Sequence, residues 1–310
     1  MTRLEQALND YLRIRRSLGF QLQEAEGRLK NFVAFLQAAR ASYITRGLAL
    51  RGATQPAKAQ PSTWAQRLGI IRRFAIWYSA REPHTEIPPA GLLLYRYLRK
   101  PPYIYSDEEI QRLLRGTQQL SSPKGLRAHT YTTLFGLLVA TGMRVNEALG
   151  LERADVDLKR GILHIRRTKF RKSRYVPIHP STVAALKKYV GLRTRLFPGP
   201  LVAFFISEKG RRITKWMAQY TLAKLSQRVG LRASAKGHGR GPRLHDMRHR
   251  FAARTLIHWY RAGLDVEREL PKLSTYLGHV HVNGTYWYLE AVPELLQLAT
   301  DRLIQREVRP

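Results

Sequence analysis

The chain has 310 residues, 44% of them hydrophobic and 10% aromatic, enough to bury cores in about two folded domains and unlike a basic disordered tail. Lys and Arg number 54 against 22 Asp and Glu, and this formal charge of +32 runs along the whole length, which points to a long polyanion, by default nucleic acid. The absence of cysteine excludes disulfides and thiolate metal sites and fits a reducing cytoplasm.

There is no apolar run of membrane-spanning length and no Gly-x-x-x-x-Gly-Lys-Ser/Thr loop, and no leader segment is expected from the polar helix that opens the sequence. The expectation is a cytoplasmic, nucleoid-associated protein that uses no cofactor. Charge alone gives a binder and no reaction, since a ribosomal or chromatin-packing protein shares it.

Leu4, Leu8, Tyr11 and Leu12 fall at helical spacing, and Leu29, Phe32, Val33 and Leu36 mark a second helix. Trp64, Leu68, Ile71, Phe74 and Tyr78 mark another, with Ser62 as its expected N-cap after a Pro- and Ala-rich loop from Thr54 to Pro61. Residues 1–89 therefore read as an all-α N-terminal domain. Arg13, Arg15, Arg16, Arg72 and Arg73 are its candidate phosphate contacts, against the plain alternative of solvated helix faces.

Residues 90–105 hold Arg96, Arg99 and Lys100 beside Pro101 and Pro102, the composition of a DNA-touching interdomain linker. Ser106-Asp107-Glu108-Glu109 reads as a capping box that opens the second domain, residues 106–310. Its three carboxylates are taken as helix-dipole stabilisers and not as a metal site.

An apolar helix around Leu134, Leu137, Leu138 and Val139 is halted by Gly142. Arg144 then opens a helix carrying Glu147, Ala148 and Leu149, at a helix start that favours an anion. Residues 161–167 and 174–178 read as an antiparallel hairpin whose tip carries Lys169, Arg171 and Lys172. Residues 179–195 and 214–229 read as helices, Ala203–Ile206 as a short strand, and 232–242, with Arg240, as a basic glycine-rich loop. The expected fold is mainly α with a small antiparallel β-sheet, an α+β second domain after an all-α first domain.

Within Arg243-Leu244-His245-Asp246-Met247-Arg248-His249, His245 and Arg248 stand three apart, on one face of a helix. Leu277-Gly278-His279 and Tyr288 follow. Cationic or switchable donors together with a phenol suit work on a phosphodiester.

Ala140-Thr141-Gly142-Met143-Arg144-Val145-Asn146-Glu147-Ala148-Leu149 resembles the first arginine motif of the tyrosine recombinases, the phage-integrase and dimer-resolving site-specific recombinases. His245-Asp246-Met247-Arg248-His249 is similar to their His-x-x-Arg box, and Leu277-Gly278-His279 to their Leu-Gly-His motif. Lys169 falls where the family has its hairpin lysine, with Lys172 in the same turn. Tyr288, nine residues after His279, has the spacing of the family nucleophile; that spacing selects it over Tyr286. Motif order and separations agree over about two-thirds of the chain.

The resemblance implies a C-shaped two-domain clamp on double-stranded DNA with specific recombination sites. It also implies cleavage and rejoining through a 3′-phosphotyrosyl intermediate, without metal or ATP. The catalytic set is then Arg144, Lys169, His245, Arg248, His279 and Tyr288. Arg144 and Arg248 bind the phosphate, Lys169 protonates the leaving 5′-hydroxyl, and His279 bonds a phosphate oxygen. His245 is the candidate base for a phenol whose reference pKa is about 10; His249 and His281 are read as bystanders.

A dimer on one site and a tetramer in synapsis are implied, with accessory recombination proteins as a further partner class. The tail, 289–310, docks either on a neighbouring protomer or on its own domain. An integrase or transposase of a mobile element is preferred. The rivals are a type IB topoisomerase-like enzyme and a non-cleaving architectural DNA-binding protein.

Overall fold

Thr2 starts the first helix, α1 (Arg3–Ser17): its hydroxyl accepts from the Glu5 amide, and the Glu5 carboxylate accepts from the Thr2 amide in return. The computed structural model describes residues 2–55, 57–93, 102–166, 173–232, 241–279, 281 and 283–307. The chain divides into two units, Met1–Arg99 and Lys100–Pro310.

The first unit continues with α2 (Gln23–Ala38), α3 (Arg46–Thr54) and α4 (Pro61–Ser79). Leu4, Leu8, Tyr11 and Leu12 of α1 pack into one core with Phe32, Leu36, Phe74 and Tyr78. The Tyr11 and Phe74 rings meet edge-on, with centroids 5.4 Å apart. Helix α4 begins one residue before the expected cap. Gln60 is the N-cap, Pro61 occupies the first turn, where its missing N–H leaves nothing unpaired, and Ser62 is inside the helix.

Helix α3 escaped the sequence reading because Ala49, Gly52 and Ala53 make a weak apolar stripe. Their small size has a use: a Cβ on Gly52 would stand 2.5 Å from the buried Phe32 ring.

The second unit has two cores that share one helix. Helices α5 (Asp107–Thr117), α6 (Leu126–Thr141) and α8 (Pro180–Leu196) bury Ile110, Leu113, Leu134, Phe135, Leu138, Leu186 and Tyr189 in the first. Helix α10 (Leu244–Arg261) contributes Leu244 and Met247 to that core. Further along, its Ala252, Ala253 and Leu256 enter the second core, with Leu270 and Leu277 of α11 (Val266–Leu277). That second core also takes Tyr288 of α12 (Asn283–Ala291) and Leu295 of α13 (Pro293–Glu307). The first two turns of α10 thus sit where both cores meet.

Between α6 and α8 lie α7 (Val145–Gly150) and a three-stranded antiparallel sheet, β1 (Val156–Asp157), β2 (Ile162–Ile165) and β3 (Arg174–Pro177), in the order β1-β2-β3. The pairing Leu163↔Val176 and Ile165↔Arg174 fixes the hairpin register. Leu163, Ile165 and Val176 point into the core, as period-two alternation requires.

Residues 203–206 are not a strand. They make isolated bridges, Glu152↔Ala203 and Ile206↔Arg212, and their backbone is held by side chains instead. Arg193 Nη2 donates to Ala203 O at 2.8 Å, and the Tyr189 hydroxyl accepts from Ile206 N at 3.1 Å. Phe204 and Phe205 are both fully buried, which strand alternation beside a solvent face would forbid.

Helix α9 (Lys215–Arg228) buries Leu222 and Leu225, whereas Trp216 and Tyr220 of the same sequence pattern are exposed and stack on each other at 5.3 Å. The tail stretch from 289 is broken at Val292–Pro293. Past the break, α13 packs on its own unit through buried Leu295 and an Arg261–Glu294 ion pair at 2.7 Å. Among the described residues no helix is long and apolar enough to cross a membrane.

Gly52→Ala sets two effects against each other. Better helix propensity stabilises by roughly 0.5–1 kcal/mol, and overpacking against Phe32 destabilises by about 1–3 kcal/mol. Urea unfolding is expected to show a net loss of about 1 kcal/mol or more.

Candidate active site

Helix α10 opens with a capping box. The buried Asp246 carboxylate accepts from the Arg243 amide at 2.8 Å and from Arg243 Nη2 at 3.2 Å. His245, Arg248 and His249 project from the first two turns. His245 is exposed as a residue, while its ring is crowded by its neighbours. Desolvation by that crowding, and then the Arg248 charge, push its pKa down to about 4, so the ring is neutral at neutral pH.

Arg248 is 2% exposed. Its Nη1 donates to Gly142 O and its Nη2 to Leu277 O, both at 2.9 Å. Burial, and next the neighbouring Arg144, push its pKa down to about 10, so it stays cationic.

Both carbonyls belong to glycine-dependent turns. Gly142 ends α6 at φ +60°, and a Cβ there would meet Phe251 at 2.6 Å. Gly278 ends α11 at φ +69°, and a Cβ there would meet Arg174 Nη1 at 2.7 Å.

Arg144, the N-cap of α7, reaches the same Leu277–Gly278 turn. Its Nη2 donates to Gly278 O at 3.0 Å and its Nη1 to Glu147 Oε1 at 2.9 Å. The anion at this helix start is therefore the chain's own Glu147, which also accepts from the Arg144 amide at 3.0 Å.

Arg174, at the foot of the hairpin, donates to Glu147 through Nη1 at 3.1 Å and Nη2 at 2.8 Å, and through Nε to Tyr276 O at 2.8 Å. Burial alone would raise the Glu147 pKa, but the bonds and charges of Arg174 and Arg144 hold it below the ordinary glutamate value. Sequence reading missed Arg174 and the carboxylate role of Glu147, whose contact spans 27 residues.

Helix α12 carries both candidate tyrosines. Tyr288 is 2% exposed and faces α10, while Tyr286, two residues away, is 43% exposed. The hydrogen bond described at the Tyr288 hydroxyl is with His249 Nδ1, at 3.2 Å. The motif pattern points to His245 as the base and gives His249 no role. In the structure the His245 ring stands edge-on to His249, with centroids 4.6 Å apart. His279 Nδ1 pairs with the hydroxyl of buried Thr285 at 2.8 Å, a partner that no motif pointed to.

Of the other candidates, Lys169, Arg171, Lys172, Arg240, Arg96, Arg99 and Lys100 lie outside the described residues. In the first unit Arg13 pairs with Asp10 at 2.8 Å, Arg15 lies over the Phe20 ring at 3.9 Å, and Arg16 pairs with Glu26. Arg72 Nε donates to Pro88 O at 2.9 Å, tying down its own unit. Exposed Arg73 lines an open groove of 530 Å³ with Glu24, Arg28 and Gln66.

Among the described residues no group of three or more His, Asp or Glu is gathered to hold a metal ion. Of the three carboxylates after Ser106, Asp107 pairs with Arg250 and Arg254, while Glu108 and Glu109 bond Ser106.

The profile of the phage integrase family matches residues 104–294, which hold the whole constellation. The chain belongs to the phage integrase family and is a tyrosine-type site-specific recombinase. It is 47% identical to the integrase/recombinase y4rB of Sinorhizobium fredii over 99% of this chain and 98% of that protein. It is 30% identical to the tyrosine recombinase XerC of Neisseria meningitidis over 73% of this chain and 67% of that one.

The recombinase also shares its fold with the Tn1549 transposon integrase solved with transposon right end DNA (TM-score 0.67, 14% identity, 98% of this chain, 100% of that one). The XerH site-specific recombinase bound to palindromic difH substrate aligns at TM-score 0.63 and 21% identity, over 88% and 77% of the two chains.

The recombinase site gathers guanidiniums on backbone carbonyls and leaves them charged. Each guanidinium carries five N–H donors, and the carbonyl bonds described use two nitrogens of Arg144 and two of Arg248, so N–H groups remain to face an anion. Glu147→Gln removes the one carboxylate shared by Arg144 and Arg174 and is expected to destabilise the second unit by about 3 kcal/mol.

The pH sign follows from the lowered pKa of Glu147. The unfolded chain binds the proton first, so the contribution is full above the ordinary glutamate range, near pH 4.3. It fades as pH falls through the lower folded value. Urea unfolding of both proteins should converge in acid and differ fully at neutral pH.

Proposed function

We propose that this recombinase cuts and rejoins one DNA strand per site through Tyr288, with Arg144 and Arg248 binding the scissile phosphate. The carrying observation is that the Tyr288 hydroxyl is turned onto the α10 segment that also presents Arg248, whose Leu277 carbonyl anchor adjoins the Gly278 carbonyl holding Arg144. Phosphoryl transfer spreads negative charge over the non-bridging oxygens, and preorganised arginines stabilise that charge most in the transition state.

In this reading Lys169 at the hairpin tip protonates the leaving 5′-hydroxyl. His279, oriented by Thr285, bonds a phosphate oxygen, and neutral His245 faces the open side of the cleft where the phosphate enters. The product is a 3′-phosphotyrosyl enzyme, which keeps the ester energy for rejoining.

The assignment of residues 1–89 as a core-type DNA-binding domain and 90–105 as a linker belongs to the same proposal, with 106–310 as the catalytic domain. So do double-stranded DNA with specific sites as partner and a dimer on each site that pairs into a tetramer. The role proposed is that of an integrase or transposase of a mobile element, in keeping with the Tn1549 integrase whose fold it shares.

The test is covalent capture from cells, with sequencing of DNA that stays attached after denaturation. Wild type and Tyr286→Phe should retain DNA at a few sites, and Tyr288→Phe should retain at least 100-fold less, on the order of a lost nucleophile. Loss with Tyr286→Phe alone would move the nucleophile. Capture spread evenly over the genome would indicate a topoisomerase-like enzyme, and none at all a non-cleaving binder.

A further inference from the structure

Tyr288, His249 and Asp246 form a line that the recombinase's motif set leaves unexplained. The His249 ring is buried, and Nδ1 lies 3.2 Å from the Tyr288 hydroxyl while Nε2 lies 4.0 Å from Asp246 Oδ1. Asp246 has no surface exposure, and its carboxylate is fixed by Arg243. The Trp287 ring, 5.3 Å from His249, closes the other side.

This is the order of groups in a nucleophile–histidine–carboxylate array. A weak nucleophile touches the imidazole that takes its proton, and a buried acid faces the far nitrogen. We propose that His249 is the proton acceptor for Tyr288 and that Asp246 orients and stabilises it. The proposal rests on Tyr288 being the nucleophile.

The tautomer follows from the surroundings. A buried carboxylate beside Nε2 favours a proton on that nitrogen, which leaves the Nδ1 lone pair to accept from the phenol. In the cleavage step the Tyr288 O–H bond breaks and its proton passes to Nδ1 as the phenolic oxygen forms its bond to phosphorus. The bond from phosphorus to the 5′ oxygen breaks, and that oxygen leaves with a proton from the general acid, Lys169 in the reading above.

Rejoining reverses both transfers: the phenolic oxygen leaves phosphorus and takes its proton back from His249. The imidazolium formed in between faces the Asp246 charge through Nε2. His245, whose ring stands 4.6 Å from that of His249, is neutral and adds no repulsion to that cation.

The role calls for a base at the Nδ1 position, and a hydrogen-bonding group alone does not suffice. His249→Asn places an amide near Nδ1 without basicity, and His249→Ala leaves a cavity beside the phenol that free imidazole can fill. The probe is a duplex of the site recovered by covalent capture, nicked beyond the cleavage position so that the cut strand diffuses away. The rate of covalent-complex formation by the full-length protein is read in a single turnover.

Both variants should fall by about 10²-fold or more, the usual share of a general base. Added imidazole should speed His249→Ala at least tenfold, with Asp246→Asn between them and wild type and binding of the intact duplex unchanged. Tyr288→Phe should give no product with or without imidazole; product from it would sink the nucleophile reading itself and not this one alone. A His249→Asn rate near wild type, or a slow His249→Ala that imidazole leaves slow, would show that His249 only packs or positions. Loss with imidazole rescue in His245→Ala, and none in His249→Ala, would give the proton to His245.

Discussion

Arg248 spans two backbone carbonyls, Gly142 O and Leu277 O, from inside the protein, and the second unit is arranged to make that possible. Burying a guanidinium is unfavourable unless its donors are met, because water that solvated them is removed. Here the partners are carbonyl ends of two helices, α6 and α11, each turned outward by a glycine with positive φ. Helix C-termini carry partial negative charge, so they stabilise a cation without neutralising it. A carboxylate in the same place would hold Arg248 more firmly and cancel its charge.

Arg144 is held by a different balance. Its carbonyl contact at Gly278 is supplemented by Glu147, and Glu147 divides its charge between Arg144 and Arg174. Two arginines on one carboxylate, with Arg248 on the adjoining Leu277 carbonyl, leave a local positive excess. That field agrees with the sign of the whole chain at +32 but is far more local, since solvent and salt screen charges beyond about 10 Å at ordinary ionic strength. The long-range charge brings DNA near. The local excess can act on one phosphate.

The sequence made visible what depends on neighbours in the chain. Gly142 after an apolar run announced the end of α6, Ser106 with Glu109 announced the start of α5, and the alternation in 162–165 and 174–177 announced the hairpin. It hid what depends on distant partners or on the backbone. The His249–Tyr288 contact spans 39 residues, so His249 looked idle beside Arg248. The carbonyls of Leu277 and Gly278 have no side-chain signature, although the Leu-Gly-His motif marks where they lie. Helix α11 drew no sequence assignment and carries Pro271 in its interior, and Pro293 divides a tail whose apolar spacing reads as continuous.

Gly278 joins two requirements that are usually separate. Its backbone needs φ near +69°, and its missing side chain gives Arg174 room to lie against the turn. Positions 174 and 278 are therefore coupled through space. A side chain at 278 would strain that backbone and push the Arg174 guanidinium aside, which loosens its hold on Glu147. In a collection of such recombinases, the two positions should change as a pair or not at all.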